Sequence, residues 1–296
     1  MNMNRVNFNL LKNKITVLPA ITSTPFKSSL FKDKKVLITG GGTGLGKQMA
    51  QSYLGLGAEV LIASRKEEVL RKTCEEIGSS KISYKTLDIR DHDSVSSFVS
   101  GLERVPDIII NNAAGNFVCP SKDLSYNGWN SILDIVLKGT MDLTLQLGQR
   151  MIKEEQTGSF LNISTTYAQT GSGYVLPSAI AKSGCDNLTK SLAAEWGRYG
   201  IRLNSVAPGP IFTEGAFSRL DPSGKFTQSG IKKLPIGRLG ETQELANLVC
   251  FITSEHMNWM TGQIINLDGG EVVGNSGEFN FLGKLTEAEW GIFSKM

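Results

Sequence analysis

The chain has 296 residues, of which 40% are hydrophobic and 20% are charged, and its formal net charge is +3. This composition is ordinary for a globular protein, and the length allows one large domain or two small ones. No apolar run approaches the ~18 residues that a membrane span needs. Only two histidines are present, which excludes a multi-histidine metal site. The four cysteines lie far apart, without the spacing of a metal site or a disulfide framework, and this indicates a reducing compartment.

The first 32 residues differ from the rest of the chain. They hold five basic residues and no Asp or Glu, which leaves 26 basic against 28 acidic residues in the remainder. A body with this balance is not a nucleic-acid-binding surface. The basic head is rich in Ser and Thr and contains aliphatic residues, which is typical of a mitochondrial presequence; a disordered tail is the alternative. We therefore predict one domain over 33–296, located in the mitochondrial matrix.

The last three residues keep a second location open. Ser294-Lys295-Met296 is close to the Ser-Lys-Leu peroxisomal signal. The peroxisome is therefore the alternative to the mitochondrion.

Short apolar runs alternate with longer helical patterns from residue 34 to about 270. Continuous β-branched and aliphatic runs are typical of strands buried on both faces, and seven occur, at 36–38, 60–63, 82–84, 108–110, 160–163, 203–206 and 264–267. Helical patterns lie near 44–56, 66–77, 91–103, 126–153, 178–198 and 242–253. The alternation predicts a single α/β domain with a Rossmann-type, doubly wound parallel sheet of seven strands.

Two segments lie outside this alternation. Residues 211–238 are rich in Gly and Pro and lack a long apolar period, which predicts a lid loop. Thr286-Glu287-Ala288-Glu289 has the pattern of a capping box, which predicts the start of a further helix.

A glycine-rich stretch follows the first predicted strand and opens the first helix. It reads Thr39-Gly40-Gly41-Gly42-Thr43-Gly44-Leu45-Gly46. Glycines allow the backbone to turn tightly and to approach a pyrophosphate at the positive end of a helix. Because the stretch begins a strand-helix alternation, it predicts a dinucleotide-binding loop.

Further motifs follow at the ends of predicted strands. They are Asp88, then Asn111-Asn112-Ala113-Ala114-Gly115, then Pro208-Gly209-Pro210-Ile211. Together with the Thr-Gly-x-x-x-Gly-x-Gly spacing of the glycine loop, they cover residues 34–270 and resemble the short-chain dehydrogenase/reductase family. The resemblance implies an oxidoreductase that places Asp88 at the adenine of its cofactor, with Asn112 and 208–211 also lining the cofactor site.

The end of the second strand indicates which cofactor is used. An NAD enzyme places a carboxylate there for the adenosine 2′-hydroxyl, whereas this chain has Ser64, Arg65 and Lys66. Arginine offers a bidentate fork to a phosphate. We therefore predict NADPH, with Ser64 and Arg65 at the 2′-phosphate. The alternative is that Arg65 and Lys66 only begin a solvated helix.

The region after the fifth strand departs from the family pattern. In place of Tyr-x-x-x-Lys it has Ser178-x-x-x-Lys182, and the nearest tyrosines are Tyr167 and Tyr174. Residues four apart share one helical face, so Lys182 keeps the position that holds the nicotinamide ribose in the family. Ser178 is too weak an acid to replace a phenol.

Other positions narrow the resemblance to one branch of the family. Thr165 stands where the family usually has its catalytic serine, and Lys138 stands where it usually has an asparagine. Longer matches at 112–117, 215–222 and 276–280 resemble the branch that reduces 2,4-dienoyl-CoA thioesters. This resemblance implies a homotetramer that uses NADPH to convert a 2,4-dienoyl-CoA into a trans-3-enoyl-CoA in β-oxidation of unsaturated fatty acids.

The same resemblance assigns roles to individual side chains. Tyr167 is implied as the acid and Asn116 as a donor to the thioester carbonyl, with Ser178 and Lys182 supporting the site. Donors aimed at that oxygen stabilise the charge that builds on it during reduction. Contacts with the acyl-CoA are implied for Arg65, Arg90, Phe117, Ser125 and Arg219, so Arg65 has two possible partners.

Two other functions stay open from the sequence. A carbonyl reductase of the same fold could use Tyr174 as its acid. A catalytically silent NADPH-binding module could keep the fold without the chemistry. The pair of Asn116 and Tyr167 discriminates between these readings, because a silent module has no need for both.

Overall fold

The computed structural model describes residues 17–213, 215 and 229–293. Seven strands form one sheet in the order β3-β2-β1-β4-β5-β6-β7, and every neighbouring pair is parallel. The predicted doubly wound parallel sheet is thereby confirmed. The strands are β1 (Lys35–Thr39), β2 (Glu59–Ser64), β3 (Ile82–Thr86), β4 (Ile108–Asn111), β5 (Gly158–Ile163), β6 (Ile201–Pro208) and β7 (Ile264–Leu267).

Helices cover both faces of this sheet. The six long helical patterns are found within a few residues of their predicted bounds, and the capping box at Thr286 opens a short helix as expected. None of the described helices is both long enough and apolar enough to cross a membrane. The helices are α1 (Gly44–Gly55), α2 (Glu67–Ile77), α3 (His92–Ser100), α4 (Tyr126–Leu133), α5 (Gly139–Lys153), α6 (Tyr167–Thr170), α7 (Leu176–Trp196), α8 (Thr242–Thr253), α9 (Glu271–Ser276) and α10 (Glu287–Phe293).

Alternating residues of the central strands point to opposite sides of the sheet. Val36 and Ile38 are buried in one core cluster with α1 and α8. Leu37 lies in a second cluster with α3, α5 and α7. Because both faces of a central strand are covered, its sequence is a continuous aliphatic run rather than an alternating one. The core of the domain therefore lies in two layers, one on each face of the sheet.

Residues at the described start of the chain pack on the domain. Phe31 is only 2% exposed and its ring lies 4.9 Å from that of Tyr53. Further out, Arg238 Nε donates to the Leu18 carbonyl at 2.7 Å, and Asn247 Nδ2 donates to the Ser23 carbonyl at 3.0 Å. Residues 1–16 lie outside the described residues, so the domain boundary after residue 32 stays a prediction.

The predicted lid loop, 211–238, is described at its two ends only. Ile211 forms a parallel bridge with Gly240, and Leu234 is buried. Residues 214 and 216–228, which include Arg219, lie outside the described residues. The described ends therefore anchor the loop beside the carboxyl end of β6.

Candidate active site

The carboxyl ends of the parallel strands meet at one edge of the sheet. The chain runs from β1 outward to β3 on one side and from β4 outward to β7 on the other. Ligands of such sheets bind where the strand order reverses. The loops after β1, β4, β5 and β6 carry the predicted site residues to this crevice.

The loop between β1 and α1 is shaped for close approach of a ligand. Gly40 has a φ of +66°, a conformation that side chains disfavour. A Cβ at Gly46 would collide with the Gly40 carbonyl oxygen. The N-cap residue Thr43 makes no side-chain capping bond, and no acid lies in the first turn of α1, so the helix N-terminus offers N–H groups to an anion. These residues fit the pyrophosphate of a dinucleotide.

Two polar side chains hold this loop to the end of β4. Asn112 Nδ2 donates to the carbonyls of Thr39 and Gly40 at 3.0 and 3.2 Å. The Thr39 hydroxyl accepts the backbone N–H groups of Asn112 and Ala113, both at 3.0 Å. Asn112 was predicted to line the cofactor site. In the structure its side chain holds the backbone of the glycine loop in place. The Thr39 hydroxyl also holds this loop. The sequence did not indicate this role, because Thr39 stood out only as the first residue of the motif.

The ends of β2 and β3 bring together the residues predicted for the adenosine side. Ser64 is half-buried and Arg65 is exposed. The carboxylate of Asp88 accepts Nε of Arg90 at 2.9 Å, and this bond lowers the pKa of Asp88, with Arg65 contributing. Arg90, predicted for the acyl-CoA, thus pairs with Asp88 in this structure.

The loops after β4 and β5 place three predicted catalytic side chains in one hydrogen-bonded group. Asn116 Nδ2 donates to the Tyr167 hydroxyl at 3.1 Å, and that hydroxyl lies 3.1 Å from Ser178 Oγ. Asn116 Oδ1 accepts the Phe117 backbone N–H at 2.9 Å, which fixes the amide so that its NH₂ group faces the phenol. Because Asn116 donates, the phenolic proton is available to Ser178 or to a ligand.

Lys182 lies one helical turn beyond Ser178 on α7. Both side chains are buried, at 8% and 2% exposure. The ammonium donates to the Ile163 carbonyl at the end of β5. Burial lowers the pKa of Lys182 by penalising its charged form. An ammonium has three donors, so two remain for ligand atoms or neighbours.

Tyr174 is placed differently from Tyr167. Its φ is +67° and its side chain is 66% exposed. Its carbonyl accepts the Cys119 backbone N–H at 2.8 Å. Within the described residues, the Tyr174 phenol makes no hydrogen bond to Ser178, Lys182 or Asn116. The geometry therefore favours Tyr167 over Tyr174 as the acid.

Residues 266 and 271, near the C-terminal end of the chain, hydrogen-bond to the turn that carries Tyr167. The Thr166 hydroxyl donates to Glu271 Oε2 at 2.9 Å, and Gln169 Nε2 donates to Asn266 Oδ1 at 2.7 Å. Burial raises the pKa of the Glu271 carboxyl. No motif in the sequence indicates these two hydrogen bonds, because the bonded residues are about a hundred positions apart.

Lys138 now has a structural explanation. Residues 134–138 form a π-helical segment that joins α4 to α5 without a break in helical backbone. Lys138 Nζ pairs with Asp134 Oδ1 at 2.8 Å, and both side chains are partly or largely exposed. Lys138 therefore makes an exposed ion pair within its own segment.

The remaining predicted residues make structural contacts of their own. Gly209 N donates to the Leu267 carbonyl at 3.0 Å, which holds the 208–211 motif against β7. Phe117 packs on a small cluster with Ile132. Ser125 accepts the Gly128 backbone N–H at 3.0 Å as the N-cap of α4.

Comparisons with known proteins agree with this geometry. A family model described as enoyl-(acyl carrier protein) reductase matches residues 40–271. A Caenorhabditis elegans protein named probable 2,4-dienoyl-CoA reductase 3, (3E)-enoyl-CoA-producing, is 42% identical over 95% of this chain and 94% of its own. A solved short chain dehydrogenase from Bacillus anthracis is 38% identical with a TM-score of 0.74, covering 83% of this chain and 98% of that one. The chain belongs to the short-chain dehydrogenase/reductase family.

Other relatives of this short-chain dehydrogenase/reductase are also oxidoreductases. An uncharacterized oxidoreductase of Caenorhabditis elegans is 46% identical over 86% of this chain and 84% of its own. A variant of actinorhodin polyketide ketoreductase, solved with NADPH, is 26% identical with a TM-score of 0.74, covering 80% of this chain and 97% of that one. The protein is therefore an oxidoreductase of this family, and its glycine loop fits a nicotinamide dinucleotide.

Proposed function

We propose that the protein uses NADPH to reduce a 2,4-dienoyl-CoA thioester to a trans-3-enoyl-CoA. The observation that carries this proposal is the Tyr167 hydroxyl, bonded on one side to Asn116 and on the other to Ser178. The name of the 42% identical relative, probable 2,4-dienoyl-CoA reductase 3, supports the same reaction. A simple carbonyl reductase needs one acid at the carbonyl oxygen, whereas this site offers an amide and a phenol side by side.

The residues of the site suit a substrate whose charge develops on a thioester oxygen. NADPH, when bound, supplies a hydride, which adds to the distal end of the diene. The Asn116 amide and the Tyr167 hydroxyl can both donate to the thioester oxygen, and donors placed in advance stabilise the developing enolate. Tyr167 then gives its proton to the carbon next to the carbonyl. The two additions leave the double bond between carbons 3 and 4.

Ser178 and Lys182 support this acid. Ser178 Oγ lies 3.1 Å from the phenol and can return a proton to it through the same contact. Lys182, one helical turn from Ser178 and donating to the Ile163 carbonyl, would bind the cofactor ribose and so hold the nicotinamide beside this acid.

A direct assay tests the proposed reaction. NADPH absorbance is followed with 2,4-hexadienoyl-CoA, and the product is examined for the position of its double bond. We expect NADPH consumption and a trans-3-enoyl-CoA. Reduction of simple ketones without reduction of the thioester would favour the carbonyl reductase, and folded protein that consumes no NADPH with either substrate class would favour the silent module.

Replacing Arg65 with Ser separates its two possible partners. If Arg65 binds the 2′-phosphate, the Kd for NADPH rises about tenfold, as for a lost hydrogen bond to a charged group, and the Kd for NADH stays unchanged. Titration of cofactor fluorescence measures both constants. Lys66→Ser, at the neighbouring exposed position, is the control. A raised KM for the thioester with an unchanged Kd for NADPH would instead assign Arg65 to the CoA.

We also propose a homotetramer in the mitochondrial matrix, with the peroxisome as the alternative. A relative named peroxisomal 2,4-dienoyl-CoA reductase from Rattus norvegicus, 34% identical over 83% of this chain and 86% of its own, supports the alternative. We propose that the presequence lies within the basic head, residues 1–32, and that its cleavage point precedes the contacts that Leu18 and Phe31 make with the domain. N-terminal sequencing of the mature protein tests this, and a start after residue 32 would contradict it.

A further inference from the structure

Asp186 is a buried acid that the proposed mechanism does not use. It lies on α7, one turn beyond Lys182, and is 5% exposed. Neither carboxylate oxygen has a hydrogen-bond partner of good geometry among the described residues, although the Ser164 and Ser205 hydroxyls are close enough to lower the pKa of Asp186 and so oppose the effect of burial. A buried carboxylate without partners is costly, so its presence calls for an explanation.

The surroundings of Asp186 point to Lys182 as that explanation. Burial raises the pKa of Asp186 and lowers the pKa of Lys182, and in each case the opposite charge of the other residue works against the shift. The two groups share the sheet-facing side of one helix, where opposite charges attract more strongly than in water. Each therefore favours the ionised form of the other.

Other titratable groups near the pair do not replace Asp186. Cys185 lies beside it on α7, but burial raises the pKa of this thiol, and its Sγ donates to the Val136 carbonyl at 3.1 Å. Near neutral pH the thiol is therefore uncharged. Lys190, one turn further, is a second cation rather than a counter-ion. The neighbouring strands contribute hydroxyls, from Ser164 on the β5 side and Ser205 on β6.

A buried polar network holds the backbone and side chains around Asp186. It runs from Asn111 on β4 to Asn162 on β5 at 2.8 Å, to Thr189 on α7 at 2.8 Å, and to Ser205 at 2.8 Å. All four residues are buried. The unpartnered oxygens of Asp186 stand at the end of this network, and the Ser164 hydroxyl is unpartnered beside them. The network therefore orders the surroundings of Asp186, which lies one helical turn from Lys182.

We propose that Asp186 is a positioning residue that keeps the Lys182 ammonium charged and aimed at the cofactor side of the site. It acts through Lys182 and touches neither the cofactor nor the substrate. The inference rests on the proposed role of Lys182 at the ribose, and it does not depend on which substrate is reduced.

Cofactor affinity as a function of pH tests this proposal without any substrate. In Asp186→Asn the counter-charge is gone, so Lys182 loses its proton at a lower pH than in the unmodified enzyme. We expect the decline of NADPH affinity at alkaline pH to begin about one pH unit earlier, which makes binding about tenfold weaker within that window. Asp186→Glu keeps the charge and is expected to restore the original profile. The control is Glu195→Gln, which removes an exposed acid from the same helix and should change nothing.

Unfolding as a function of pH gives a second, independent readout. Lys182 has a folded-state pKa below its unfolded value, so its protonation costs stability that accumulates as pH falls from the unfolded-state pKa to the folded-state pKa. Without Asp186 the interval between these two pKa values widens, so the stability of Asp186→Asn relative to the unmodified enzyme should be lowest near neutral pH and should increase as pH rises. Adding Lys182→Met should remove most of this pH dependence, since no buried ammonium is then left to titrate.

The outcomes separate the possible roles of Asp186. An unshifted affinity profile in folded Asp186→Asn overturns the proposal, as does a stability deficit that is constant with pH. If Asp186→Asn does not fold, Asp186→Ser removes the same charge with a smaller side chain and must meet the same expectations. Absence of dienoyl-CoA reduction in an enzyme that shows the shifted profile would count against the proposed function and leave this inference in place.

Discussion

Tyr167→Phe should lower the turnover of dienoyl-CoA by about 10²–10⁴, the range for loss of a general acid. The phenol is the only group that bonds to both Asn116 and Ser178 among the described residues, and phenylalanine keeps its ring while removing its proton. The contacts of the glycine loop do not involve this ring. Steady-state kinetics should therefore show a fall in kcat, and fluorescence titration should show an unchanged Kd for NADPH.

The matched control for this change is Tyr174→Phe. Tyr174 is exposed and its hydroxyl makes no hydrogen bond to the catalytic group within the described ranges, so turnover should change little. Both variants lose the same single oxygen, which makes the comparison independent of general effects of the substitution. A large loss in Tyr174→Phe with little loss in Tyr167→Phe would overturn the assignment of the acid and favour the carbonyl reductase.

Gly46→Ala should weaken NADPH binding by about 10- to 100-fold, because overpacking typically costs about 1–3 kcal/mol and each ~1.4 kcal/mol is tenfold in affinity. A Cβ at this position meets the Gly40 carbonyl oxygen and lies 2.8 Å from Asn112 Nδ2. Since the first of these is backbone, the loop itself must move. Its N–H groups then no longer face the pyrophosphate. Fluorescence titration measures the loss.

Gly55→Ala is the control on the same helix. Gly55 ends α1 and nothing lies within 4 Å of a Cβ placed there. Alanine has the higher helix propensity, so thermal unfolding should show equal or slightly greater stability, by up to about 1 kcal/mol. NADPH affinity should be unchanged. Equal affinity in both glycine variants would show that the loop tolerates a side chain and that the cofactor binds elsewhere.

The fold could be predicted from the sequence because its signal is local. Runs such as Ile108-Ile109-Ile110 are aliphatic on both faces, and only a strand covered on both sides explains them. The glycine loop and the motifs after later strands then fixed the position of the cofactor crevice. The helix boundaries were predicted less accurately, because the ends of α3 and α7 depend on capping and side-chain contacts rather than on hydrophobic periodicity.

The candidate site could be predicted only in part. Tyr167, Asn116 and Ser178 were named from a family resemblance, and their hydrogen bonds depend on how three loops meet. Sequence spacing did not predict that Asp186 is buried without a hydrogen-bond partner. An acidic residue one helical turn from Lys182, on the buried side of α7, is nevertheless a recognisable signal. Lys138 drew attention by its family position, yet the π-helical segment in which it pairs with Asp134 leaves no pattern in the sequence.

The bonds from Thr166 to Glu271 and from Gln169 to Asn266 have a consequence for the order of synthesis. Residues 158–208 supply the tyrosine, the serine, the lysine and two strands well before β7 and α9 are made. Until residues 266–271 have left the ribosome, the turn that carries Tyr167 lacks both of these anchors. The turn that carries the proposed acid is therefore completed only with the last tenth of the polypeptide.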